Sequence, residues 1–235
     1  MCGRMVLHAN ADEIAEYFAA EKSRSNQLPL IWEPDYNITP AQVLPVCALD
    51  GEGMRKLVPM RWGLHPSWQK TGPGSRPLFN ARSETVASKP SFRSAFRRRR
   101  ALVPCNGFYE WQREEVDGKA VKTPFYITDA EREVFAFAAI WEMWNDPEAE
   151  DDAPPLLSVA TLTMPADGVM AELHHRQPVR LAEKDWAAWL DPKVRLDGDA
   201  VMDMALPSDG LRFHEVSREV NSGRAYGAGL VEPVG

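Results

Sequence analysis

The 235-residue chain is expected to form an α+β fold: one domain, residues 1–235, with a curved, mostly antiparallel, barrel-like β-sheet core and several short peripheral helices. Three observations predict this. Seven short apolar or alternating runs, many bounded by Pro or Gly, have the period of strands. The helical patterns between them are short and scattered, not one per strand as a doubly wound parallel sheet requires. No internal repeat or low-complexity linker divides the chain, and 44% apolar with 26% charged residues suits one globular unit.

Along the chain, Asn10 or Asp12 can cap a helix carrying Ile14, Tyr17 and Phe18 at helical spacing and ending before Ser23. Strands are expected at 43–48, 57–62, 101–103, 108–111, 125–127, 134–141 and 156–163. Residues 80–88, 91–99, 165–173 and 182–190 read as short helices. The acidic stretch 145–155, with Glu148, Glu150, Asp151 and Asp152 among prolines, reads as an exposed loop without chemistry.

No run approaches a membrane span of about 18 apolar residues, and the start lacks the basic and apolar regions of a signal peptide, so a soluble, cytoplasmic protein is expected. Cys2, Cys47 and Cys105 form no Cys-x-x-Cys pair, which argues against a disulfide framework or a zinc knuckle. A cysteine that matters here matters as a thiol. The net charge of −7 is unevenly spread. From Arg55 to Arg100, twelve Lys and Arg stand against Glu84 alone, a local sum of +11 that leaves −18 for the rest. Trp62, Trp68, Phe79, Phe92 and Phe96 are interleaved with those cations, the ingredients of single-stranded nucleic-acid binding. A solvated basic face is the alternative.

Cys2 follows the initiator methionine, and a side chain this small permits removal of Met1. A cysteine so exposed carries an amine with pKa about 8 beside a thiol near about 8.5, both partly nucleophilic at neutral pH. Toward an acyl group the thiolate attacks, as in N-terminal-nucleophile hydrolases. Toward an aldehyde the amine forms a Schiff base, and the thiol closes a five-membered thiazolidine. The plain alternative is a cysteine that happens to stand second. Glutamine amidotransferases also begin Met-Cys-Gly, but they continue with Arg-Gly-Pro and Asn-Gly-Glu segments, whereas this chain has Arg4 and an Asn106-Gly107 followed by an aromatic residue.

Seven ordered segments carry a resemblance: Met1-Cys2-Gly3-Arg4, Tyr36-Asn37-Ile38-Thr39-Pro40, Met60-Arg61-Trp62-Gly63-Leu64, Asn80-Ala81-Arg82-Ser83-Glu84-Thr85, Pro104-Cys105-Asn106-Gly107-Phe108-Tyr109-Glu110-Trp111, His174-His175-Arg176-Gln177-Pro178 and Val216-Ser217-Arg218-Glu219-Val220-Asn221. From end to end the chain resembles the SRAP (SOS response-associated peptidase) family, whose members crosslink to abasic sites in single-stranded DNA. Gln177 stands where methionine is usual, and Cys105 where a small residue is more frequent.

The resemblance implies Cys2 as nucleophile, completed by Asn80, Glu110 and His174. An imidazole with pKa near about 6.5 suits the proton transfers that open a closed abasic sugar, and His174 takes that role here, with adjacent His175 the alternative. Glu110 shares a strand face with Phe108 and would shuttle protons if desolvated; otherwise it is a surface strand residue. The Asn80 amide would orient the sugar, or serve as a helix cap. Arg4, Arg82 and Arg176 would clamp phosphates, Trp62 and Trp68 would stack on bases or lie in the core, and residues 97–100 would form a peripheral basic face. The expected partner is abasic single-stranded DNA, met by a monomer in the DNA damage response. No metal and no other cofactor is expected. An N-terminal-cysteine amidohydrolase and a non-catalytic reader of modified bases are the competing functions.

Overall fold

The computed structural model describes residues 2–22, 32–74, 76–116, 118–150 and 152–235. Among these, the strands are β1 (Met5–Leu7), β2 (Glu21–Lys22), β3 (Asp35–Ile38), β4 (Val43–Leu49), β5 (Arg55–Trp62), β6 (Asn80–Arg82), β7 (Arg100–Cys105), β8 (Gly107–Val116), β9 (Lys119–Asp129), β10 (Phe135–Trp144), β11 (Leu156–Pro165), β12 (Arg176–Pro178) and β13 (Leu211–Glu215). The α-helices are α1 (Ala11–Tyr17), α2 (Ser83–Val86), α3 (Arg93–Arg98), α4 (Trp186–Leu190) and α5 (Gly198–Met204).

The seven expected strands are all present, most of them extended at one or both ends. They form two sheets. One has the order β13-β9-β8-β1-β3 and is antiparallel throughout. The other runs β12-β11-β10-β7-β4-β5-β2, and β5 then returns to pair in parallel with β11, opposing Arg61 to Ser158 and Trp62 to Val159. That return closes β11, β10, β7, β4 and β5 into a ring, so the barrel-like α+β architecture expected from the pattern is the one observed. Both faces of the ring are covered: Leu57, Leu102, Ile140 and Leu162 on one and Val46 and Trp62 on the other are all fully buried. Closure also leaves these strands without free edges, the usual hazard of an open sheet.

The helices are shorter than their patterns suggest. α1 opens on a capping box: the Asn10 side chain accepts from the Asp12 and Glu13 N–H groups, and Glu13 accepts from the Asn10 N–H at 2.8 Å. It stops at Tyr17, and two residues later Ala19 adopts φ +46°. Residues 80–88 do not form one helix. Residues 80–82 are drawn into β6 by parallel pairing with β11, and α2 begins only at Ser83, capped by backbone at Arg82 with no side-chain cap from Asn80. Residues 165–173 yield only the 3-10 turn Gly168–Glu172, and 182–190 splits into a 3-10 turn, Glu183–Asp185, and α4. The acidic stretch links β10 to β11 and is exposed through Pro154; its Asp151 lies outside the described residues. No helix among the described residues is long and apolar enough to cross a membrane.

Candidate active site

Cys2 stands just before β1, where residues of β6 and β8 meet the start of the chain. Its side chain is 2% exposed, and Sγ donates to the Arg4 carbonyl at 3.7 Å. β6 seats Asn80 opposite Thr161, whose Oγ1 donates to Asn80 Oδ1 at 2.7 Å. This fixes the amide plane, and Asn80 Nδ2 then donates to the Cys2 carbonyl at 2.7 Å. The sheet ladder therefore positions a side chain that holds Cys2 by its backbone. Met1, whose removal the sequence predicts, lies outside the described residues.

β8 supplies the carboxylate. The Tyr109 N–H donates to the Arg4 carbonyl at 3.1 Å and so ties β8 to the residues beside Cys2. Alternation then sends Phe108 into the main core and Tyr109 into a second cluster, with Trp111 packed against it. Glu110, on the Phe108 face, is 3% exposed, and burial raises its carboxyl above the usual carboxylate range. The Cys2 thiol is pushed up by burial first and by the Glu110 charge second. A partly ionised thiol, the expectation for an exposed cysteine, is thus replaced by a protonated one.

His174 follows the 3-10 turn of residues 168–172 and is half-buried, whereas His175 is exposed. Burial lowers the His174 imidazole below its ordinary range, with Arg113 and Arg176 adding to the effect. Its Nδ1 lies 3.0 Å from the donating Arg176 N–H and 3.1 Å from the Arg176 carbonyl. A neutral ring can accept from the first, and a protonated ring can donate to the second. Both charge states are thereby accommodated without moving the imidazole.

Glu110 and His174 face a common cavity of about 380 Å³, walled also by Trp111 and Asn221 and ringed by Arg4, Arg113 and Lys122. Arg113 and Lys122 stand directly opposite each other in the β8–β9 ladder. Like charges so placed are unfavourable without an anion between them. Sequence reasoning missed both, because Glu114 and Glu115 leave the hairpin with little net charge. The available signal was register: two cations that a short hairpin must bring face to face.

Several expected contacts are corrected. Trp62 is fully buried, donates from Nε1 to the Phe79 carbonyl at 3.0 Å and packs edge-on to Phe79, so no face is free for a base. Trp68 is 60% exposed and stays available. Arg176 is buried and spends its guanidinium on both Glu84 oxygens and the Thr163 carbonyl. That pairing holds the Glu84 carboxyl down to about 2 and removes Arg176 as a phosphate clamp. Arg4 is partly committed, donating to Asn37 Oδ1 and to the Val220 and Asn221 carbonyls and lying 5.7 Å from the Trp111 ring centre. Arg82 is exposed and has no ion pair among the described residues. Of residues 97–100, Arg97 and Arg98 are exposed, but Arg99 bridges to Glu142 at 2.6 Å and Arg100 is buried against carbonyls of Phe96 and Val194. No cation of the basic segment lines the cavity, which draws Arg4, Arg113 and Lys122 from outside it.

A buried thiol whose backbone Asn80 holds, a carboxyl raised by burial, a lowered imidazole and a cavity ringed by cations make up this candidate site. The chain belongs to the SOS response associated peptidase (SRAP) family, whose model matches residues 1–223. It is 34% identical over 234 residues to the abasic site processing protein YoqW of Bacillus subtilis, covering 99% of each chain. It is 28% identical over 240 residues to the abasic site processing protein YedK of Escherichia coli, covering 100% of each. A solved structure from Bacteroides thetaiotaomicron shares the fold, with a TM-score of 0.81 at 20% identity over 99% of this chain and 100% of that one.

Proposed function

We propose that this chain processes abasic sites by joining Cys2, once Met1 is removed, covalently to the lesion's aldehyde in single-stranded DNA, as a monomer acting in the DNA damage response. The crosslink shields the strand from cleavage. The observation that carries this reading is the Asn80 Nδ2 to Cys2 carbonyl bond, which holds the residue that would carry both amine and thiol near Glu110, whose carboxyl burial raises. The peptidase activity in the family's name is assigned to release of Met1.

Neutral His174 takes the proton from the sugar's anomeric hydroxyl and passes it to the ring oxygen as the ring C–O bond breaks, opening the hemiacetal to the aldehyde and hydroxyl. The Cys2 amine attacks the aldehyde carbon to give a carbinolamine. Protonated Glu110 delivers its proton to the departing hydroxyl, which leaves as water, and an imine forms. Sulfur then adds to the imine carbon, and its proton passes through the Glu110 carboxylate to nitrogen, completing the thiazolidine. A thiol kept protonated by burial adds after the amine, so the Schiff base precedes ring closure. Arg4, Arg82, Arg113 and Lys122 hold flanking phosphates, and Trp68 offers a stacking face.

Intact-mass measurement after incubation with abasic single-stranded DNA tests the reading. The expected product is protein plus DNA less one water. Cys2→Ser should give only a borohydride-trappable Schiff base, and His174→Ala should slow adduct formation about 10²- to 10⁴-fold, the span of a positioned proton-transfer group. A heat-stable adduct from Cys2→Ser at the wild-type rate, without reductant, would place the nucleophile elsewhere.

A further inference from the structure

We infer that residues 222–227 build a stacking subsite for a base of the bound strand, with Tyr226 as the platform and Arg224 as its companion phosphate contact. This rests on the function proposed above and adds a position to it. Tyr226 is 92% exposed, and the turn that leads into it is held by hydrogen bonds. Asn37 Nδ2 donates to the Ser222 carbonyl at 2.9 Å and to the Ala225 carbonyl at 2.8 Å. The Ala225 N–H donates to the Ser222 carbonyl at 3.1 Å, and the Arg224 N–H to Ser222 Oγ at 3.3 Å. Gly227 adopts φ +102°, a conformation that favours glycine and turns the chain sharply just after the ring. A bare aromatic on a fixed turn has little conformational freedom left to lose on binding.

The turn's location assigns its ligand. Asn37 accepts from Arg4 Nη1 while it holds Ala225, so a single side chain joins Tyr226's neighbour to a cation of the cavity. Asn221, a wall of that cavity, accepts from Trp111 Nε1 at 2.6 Å and opens the same turn. Tyr226 thus follows a carbonyl tied through Asn37 to the cavity's Arg4, and five residues after the cavity wall Asn221, on a path open to a strand leaving the lesion. Its flanks are Ser222, Gly223 and exposed Arg224, which has no ion pair among the described residues. A ring alone among polar groups suits a nucleobase, whose π-face stacks whatever its sequence, better than an apolar protein partner. The family model ends at residue 223, so Arg224 and Tyr226 lie beyond the matched segment.

The test uses the full chain and single strands carrying a non-reactive abasic analogue, with affinity read by fluorescence anisotropy. Tyr226→Ala should weaken binding about 5- to 100-fold, the range of one lost base stack, and Tyr226→Phe should restore it. Arg224→Ala should lower the salt slope by about 0.7, one counterion on a single strand. Trimming the strand a nucleotide at a time should cost the wild type that same factor at one length and cost Tyr226→Ala nothing there. Equal affinities of wild type and Tyr226→Ala at every length would overturn the subsite. So would a loss in Tyr226→Phe as large as in Tyr226→Ala, because the hydroxyl would then be the contact. If aldehyde-bearing DNA still gave the adduct, the subsite alone would fall. Absence of any adduct would remove the parent reading with it.

Discussion

Glu110 shows how one side chain couples chemistry to stability. Burial raises its carboxyl, so the folded state holds the proton more tightly than the unfolded chain does. The resulting contribution is fully present below the unfolded carboxyl pKa and is lost as pH rises through the raised folded value, because a buried carboxylate then replaces a buried acid. Glu110→Gln keeps the shape and cannot ionise. Its Tm should exceed the wild type's at pH 8 and converge with it near pH 4, since only the wild type has a buried carboxyl to ionise. The same variant should slow both formation and reversal of the adduct. Equal Tm differences at pH 4 and pH 8 would show that ionisation carries no cost, and the proton-shuttle role would lose its physical basis.

Among elements, the β8–β9 hairpin makes the clearest demand. Arg113 opposite Lys122 is a repulsive pair that an anion would relieve. Lys122→Ala should therefore leave the hairpin as stable or slightly more so, within about 0.5 kcal/mol, while cutting the salt slope of strand binding by about 0.7. A slope unchanged in both Arg113→Ala and Lys122→Ala, measured by titration at several ionic strengths, would take the hairpin out of the interface. Elements also differ in how far sequence reveals them. Long strands such as β10 and β11 bury several alternating or continuous apolar residues, and that pattern is visible without partners. β6 and β12 have three residues each and no period; they exist because β11 offers them hydrogen bonds. Asn80 was thus legible as a polar residue of interest, but its grip on Cys2 depends on a parallel pairing that no local pattern encodes. Arg176 was legible as a cation, whereas its capture by Glu84 depends on α2 and β12 meeting in space.

At the scale of the whole molecule, the ring of strands buries Trp62 and leaves Trp68 exposed although they stand only six positions apart. Trp62→Ala empties a fully buried site in the closed core and should cost about 3–5 kcal/mol in denaturant unfolding. Trp68→Ala should leave unfolding unchanged and weaken strand binding. A binding defect without a stability defect in Trp62→Ala would reverse that assignment. The seam itself, β5 against β11, joins positions about a hundred residues apart in sequence, and its closure entropy falls due before its contacts form. β11 is also the strand that recruits β6, and β6 brings Asn80 to Cys2. During synthesis the cysteine emerges among the first residues, long before its seat can be assembled. The seat of Cys2 is therefore assembled late: a ribosome-bound or truncated chain ending before Leu156 has the cysteine without the β6–β11 pairing that brings Asn80 to it. The fold in this way makes completion of its own barrel a precondition for seating Cys2.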